Sequence, residues 1–106
     1  MRQAIQPSNM TRNQLAKVVA RRTGIAEADA RSALAAVLER VAAALCEGRR
    51  VELRGLGTLR PRYYPGYTGR DPRNGDEVEI PPKVLPAYRP GRELLQRLNS
   101  ANKEIR

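Results

Sequence analysis

Apolar residues recur at helical spacing in the first half of the chain. Leu15, Val18 and Val19 fall at i, i+3 and i+4, and Thr11-Arg12-Asn13-Gln14 before them has the form of a capping box. With Met10 and Leu15 placed as a hydrophobic staple and Gly24 set for a left-handed stop, the pattern predicts a helix from about Arg12 to Thr23. A second stripe, Leu34, Val37, Leu38, Val41 and Leu45, predicts a helix over roughly Glu27 to Glu47 that Gly48 closes. Its start is weaker, because Ala26 stands where a capping side chain is expected, leaving Glu27 and Asp29 to act on the helix dipole. Alanines flank the stripe at 30, 33, 42 and 44, so another helix can approach closely.

The period then changes from 3.6 to 2. Arg50-Val51-Glu52-Leu53-Arg54 and Thr58-Leu59-Arg60 alternate as half-buried strands, with Gly55-Leu56-Gly57 as the turn between them. Pro61 donates nothing to a ladder and is expected to distort the sheet where a hairpin leaves it. From Tyr63 to Ile80 there is no aliphatic run, only Pro and Gly punctuation between strand-like flanks, which predicts a long β-hairpin projecting from the body over about 62–82. Asn74-Gly75 is expected to form a tight I′ turn at its tip, since both central residues of that turn need φ > 0. Val78 and Ile80 resume the alternation, Pro81-Pro82 interrupt it, and Val84, Pro86 and Tyr88 lead back to the body. Pro90 to Leu98 reads as a short last helix with Pro90 in its first turn and Leu94, Leu95 and Leu98 inward. Residues 1–9, with no periodicity, are expected to be a flexible extension, and a tail follows Asn99.

Composition narrows the function. Twenty Lys and Arg against eleven Asp and Glu give a net charge of +9, which favours a polyanionic partner through counterion release. The chain has no histidine and one cysteine, Cys46, so it offers no disulfide framework and lacks the usual general base and zinc ligand. No catalytic constellation, metal site, cofactor or small-molecule substrate is expected. No apolar run approaches the ~20 residues of a membrane span and the N-terminus has no apolar signal core, so a cytoplasmic location is expected. A chain of 106 residues carrying so much apolar helix face is expected to oligomerise. At the hairpin tip, Arg70 and Arg73 stand on either side of the rigid apolar ring of Pro72, a combination suited to a narrow anionic groove.

Four motifs in register carry a resemblance. Arg54-Gly55-Leu56-Gly57-Thr58-Leu59, Thr68-Gly69-Arg70-Asp71-Pro72, Asn74-Gly75-Asp76-Glu77-Val78-Glu79-Ile80, and Pro86-Ala87-Tyr88-Arg89-Pro90-Gly91-Arg92-Glu93-Leu94 resemble the HU and integration host factor family of bacterial nucleoid proteins. The likeness spans about residues 10–99. It implies an α+β fold: an intertwined dimer with two N-terminal helices, a three-stranded antiparallel sheet extended into a long β-hairpin arm, and a short C-terminal helix. It also implies minor-groove binding and bending of duplex DNA in the nucleoid, with a proline wedged at each arm tip. By the motif match Pro72 is the wedge and Arg70 and Arg73 line the groove side of the arm. Arg54, Arg60, Arg62 and Arg89 serve the body and arm base, and Thr68, Gly69, Asn74, Lys83, Gly91 and Arg92 complete the implied DNA-binding set. Leu34, Val37, Leu38, Val41, Leu45, Leu56, Leu59 and Tyr88 are the implied core and dimer interface.

The chain departs from the family in two respects. Leu56, Leu59 and Tyr88 stand where the family usually has Phe, and Tyr67, Asp76 and Glu79 occupy arm positions that are often basic in HU. The strand at Arg50 to Arg54, the Gly75-Asp76 turn and the Arg89 to Leu94 end look more like the beta-type subunit of integration host factor. Whether the partner is a second copy or a different HU-like subunit stays open, as does sequence-specific against non-specific binding. An RNA-binding or ribosomal accessory role is the alternative for a small basic chain with a long arm.

Overall fold

The computed structural model describes residues 8–102. All but the last two positions of the expected N-terminal extension, and the end of the tail, lie outside the described residues.

Helix α1 (Arg12–Thr23) begins as its sequence dictates. The Thr11 side chain accepts from the Gln14 N–H, the Gln14 side chain accepts from the Thr11 N–H, and Gly24 ends the helix at φ +79°. Helix α2 (Glu27–Cys46) starts at Ala26 with no side-chain cap, and Gly48 follows its end at φ +83°. The two helices pack through small residues: Ala16, Ala20 and Ala30 form the buried cluster, with Val19 and Leu34 partly buried against it. Among the described residues no large side chain is fully buried. Val37 and Leu38 remain 56% and 43% exposed, and Val41 and Leu45 are half-buried, so in the single chain the stripe of α2 beyond Leu34 is left largely uncovered.

Strand β1 (Val51–Leu53) pairs with β2 (Gly57–Tyr64), which pairs with β5 (Lys83–Pro90); the three are antiparallel in the order β1-β2-β5, and α2 packs on β1 and β2. The turn is Arg54-Gly55-Leu56, closed by the Leu56 N–H on the Leu53 carbonyl, and Gly57 is already strand. The Leu56 carbonyl accepts from both the Tyr88 hydroxyl at 2.7 Å and the Gly91 N–H at 3.1 Å, tying this turn to the junction between β5 and the last helix.

Pro61 does not break the sheet. It lies within β2, directly opposite Pro86 of β5. A facing proline pair fits an antiparallel ladder where both missing N–H groups would point outward. The interruption comes farther out, where Pro65-Gly66 face Pro81-Pro82 beyond the Tyr64–Lys83 pair. A Cβ on Gly66 would lie 2.7 Å from the Ile80 carbonyl oxygen, so only glycine lets the strands pass so closely. A separate ribbon follows, β3 (Tyr67–Arg70) against β4 (Glu77–Ile80). The arm therefore has a proximal and a distal segment. Its projection gives a radius of gyration of 19.5 Å, against about 13 Å for a compact chain of this length.

Helix α3 (Arg92–Ala101) starts one residue after Gly91, its N-cap; Pro90 is the last residue of β5 and not part of a first helical turn. Leu94 is half-buried, while Leu95 and Leu98 are exposed and not inward within this chain. The helix continues past Asn99, whose side-chain amide donates to the Leu95 carbonyl, so the expected tail begins later.

Candidate nucleic-acid interface

Alternation along β2 puts Thr58, Arg60, Arg62 and Tyr64 on one face of the proximal arm. Their cross-strand partners Arg89, Ala87, Leu85 and Lys83 share it. Arg60, Arg62 and Arg89 line a concavity of about 430 Å³ with Arg50, Thr58, Ala87 and Tyr88. The Arg62 guanidinium sits 5.3 Å from the centre of the Tyr64 ring, within cation–π range, and Arg50 pairs with Glu52 at 2.6 Å. Strands β2 and β5 carry four cationic side chains and no carboxylate. Arg50 and Thr58 are members of this face that the motif match omits. Thr58 was legible by counting back two from Arg60, whereas Arg50 reaches the face only because β1 folds alongside β2.

The body end of the sheet holds a second set. Arg54 and Gly91 line a depression with Glu52, Leu53, Gly55, Gly57 and Thr58. The Gly91 N–H is already committed to the Leu56 carbonyl, and Glu93 places a carboxylate in the first turn of α3 beside the exposed Arg92. An anion at this helix end would meet both signs of charge.

On the distal ribbon the faces divide differently. Tyr67, Gly69, Val78 and Ile80 share one side, where a Cβ on Gly69 would lie 3.5 Å from the Tyr67 ring and 3.7 Å from Ile80. Gly69 is thus a seat for neighbouring side chains. Thr68 and Arg70 share the other side with Glu79 and Glu77. From Tyr67 to Ile80 there are two arginines against four carboxylates, so the distal segment is net acidic while the proximal one is basic.

The tip is not the expected I′ turn. Asn74 has a negative φ, and only Gly75 is left-handed at +78°. Residues 71–76 instead form one helix-like turn. The Asp71 N–H bonds the Asp76 carbonyl, and the Gly75 N–H bonds the Asp71 carbonyl, each at 2.8 Å. Asp71 behaves as an N-cap, its Oδ1 accepting from the Arg73 N–H at 2.9 Å, with Pro72 at the first helical position and Gly75 as the left-handed stop. Pro72 supplies the φ that a helical first turn needs, and this decides between the two turn types. Asn74 Oδ1 accepts from the Asp76 N–H at 2.9 Å, and Arg70 Nη1 donates to the Gly75 carbonyl at 2.7 Å. Pro72 is exposed at the end of the arm, and the Arg73 side chain beside it is 90% exposed. The predicted site residues thus fall into four groups: on the proximal face, at the body end, along the distal ribbon, where Thr68 and Gly69 lie on opposite sides, and at the tip.

Among the described residues no group of acidic, cysteine or histidine side chains is arranged to hold a metal ion, and no helix is long and apolar enough to cross a membrane.

Residues 10–99 match the profile of the family described as bacterial DNA-binding protein. The chain is similar to the integration host factor subunit beta of Marinobacter nauticus, at 32% identity over 96 residues that cover 90% of this chain and 98% of that one. The same subunit of Xanthomonas campestris is 37% identical over 92 residues, covering 86% and 89%. Among solved structures, HU of Anabaena in a cocrystal with DNA superposes with a TM-score of 0.76 at 28% identity, covering 84% of this chain and 97% of that one.

Proposed function

Because this chain belongs to the bacterial DNA-binding protein family of HU and integration host factor, an architectural family and not one of enzymes, we propose that it is a dimer that bends duplex DNA with its two arms. The observation that carries this reading is the division of labour along the arm. A basic proximal face, whose two arm strands β2 and β5 carry no carboxylate, leads to a ribbon whose exposed end is a proline. The proximal face supplies the grip, because Arg60, Arg62, Lys83 and Arg89 lie along one side of a ladder that phosphates can track. Pro72 supplies the wedge. The family is itself a standard example of minor-groove binding by apolar wedges that unstack a base step at a cost of about a few kcal/mol, offset by the phosphates the bend brings to the body. With about six phosphates neutralised, log K falls against log salt with a slope of roughly −5.

Dimerisation is supported by what the single chain leaves uncovered. Its buried core is alanine, while Val37, Leu38, Leu56 and Tyr88 are each more than 40% exposed. An isolated domain with such a core is short of the apolar burial that folding needs. The partner is a second copy or a second HU-like subunit, and sedimentation of the chain alone separates the two. A nucleoid location follows from the DNA reading.

The test is end-to-end energy transfer on a doubly labelled duplex of about 35 base pairs, at fixed salt, with the wild type and Pro72→Ala. The expected result is that both bind and the variant brings the ends together much less. If neither shortens the duplex while both bind, the arm is only an electrostatic grip. A structured RNA that outcompetes the duplex would favour the accessory RNA role instead.

A further inference from the structure

The tip of the arm is held by its own side chains before any DNA arrives. Arg70 is the last residue of β3 and lies directly across from Glu77, yet among the described residues the two make no ion pair. The Arg70 guanidinium reaches past the ladder to the Gly75 carbonyl at 2.7 Å. That carbonyl belongs to the left-handed residue that ends the helix-like turn and has no ladder partner, so Arg70 clasps the loop at its closing end. At the opening end Asp71 does the corresponding work on the Arg73 N–H. Arg73, in contrast, extends its side chain into solvent, with only a loose 3.7 Å approach to Asp71.

We infer that Arg70 is a positioning residue, which holds the tip loop in the form that presents Pro72, and that Arg73 is the tip's cation for phosphate. The inference rests on the reading of Pro72 as a wedge. A loop of six residues samples many conformations unless it is tied, and a wedge that must be ordered on insertion loses part of the energy the bend needs. A guanidinium suits the task because its planar donors fix a direction as well as a charge. The acidic surroundings point the same way. With Glu77 and Glu79 on its side of the ribbon, a guanidinium there is poorly placed to add net positive potential, whereas the Arg73 side chain is 90% exposed and off the face those two glutamates share.

Two measurements test this, and the first needs no DNA. In the free protein, amide exchange at Asp71 and Gly75 is expected to speed up by roughly three- to tenfold in Arg70→Ala, the range for losing one charge-assisted bond at an exposed site, and to stay unchanged in Arg73→Ala. In the second, bending at saturating protein and the salt slope are read together. Arg70→Ala is expected to lose bend per bound molecule while keeping the slope; Arg73→Ala is expected to keep the bend and lower the slope by about 0.9 for each phosphate it no longer neutralises. Unchanged exchange in Arg70→Ala, or a slope that falls as much as in Arg73→Ala, overturns the inference. If Pro72→Ala still bends DNA fully, the wedge reading is what fails, and the exchange result still reports on the clasp.

Discussion

Gly57 carries more of the architecture than its place in a short motif suggests. Its φ of +148° is one that side-chain-bearing residues rarely adopt, and a Cβ there would lie 2.3 Å from the Arg89 carbonyl oxygen and 2.8 Å from the Tyr88 ring. Gly57→Ala is therefore expected to destabilise by at least about 2 kcal/mol through combined backbone strain and overpacking, seen as a lower urea midpoint at fixed chain concentration. Ala26 offers the opposite case. It already has the extended backbone of an N-cap, at φ −66° and ψ 148°, but no side chain to use it. Ala26→Ser is expected to stabilise by about 1 kcal/mol and to raise the midpoint without changing the denaturant slope. The caps at Thr11 and Gly24 could be read from sequence because capping is local: donor and acceptor lie within a few residues of each other. The demand on Gly57 could not, since the atoms a Cβ would strike belong to a strand some thirty residues later.

At the scale of elements, the arm separates what sequence reveals from what it conceals. Its existence, and the alternation that aligns Arg60 with Arg62, follow from the period-two pattern. Two local expectations failed, one for a reason that crosses the hairpin and one for a competing local signal. Pro61 is accommodated because Pro86 faces it, a pairing known only once the register is known. The Asn74-Gly75 turn gave way to a helix-like one because Asp71-Pro72 starts it with a cap and a preset φ, outweighing a dipeptide preference. The charge division was countable from the sequence, but its meaning depends on the break at Pro65-Gly66 and Pro81-Pro82, which sets where the basic segment ends. Arg60→Ala and Arg62→Ala are each expected to weaken binding to all duplex sequences alike and to lower the salt slope by about 0.9 for each phosphate left without its cation, as read from titrations at several salt concentrations. A sequence-dependent weakening would point instead to base contacts.

For the molecule as a whole, an alanine core makes folding and assembly a single question. The helical stripe was legible as an apolar face, but a sequence does not say whether such a face turns toward its own chain or another. Here alanines, with Val19 and Leu34 beside them, took the contact within the chain, and Val37 and Leu38 were left outside. On the dimer reading, Leu38→Glu places a charge in the interface and is expected to cost more than about 3 kcal/mol, giving unfolded or aggregated chains in circular dichroism and sedimentation. A well-folded monomer from that variant would remove the case for a dimer through α2. The prolines carry a further consequence at this scale. Seven of the eight stand between residues 61 and 90, in and around a ladder whose β2 strand has no β1 partner beyond Leu59 and whose β5 strand has an open outer edge. Long unpaired edges ordinarily recruit further strands and seed stacked fibrils. Pro61, Pro86 and Pro90 lie within those strands, and each lacks the N–H that an incoming strand would need, which works against pairing between the arms of separate molecules.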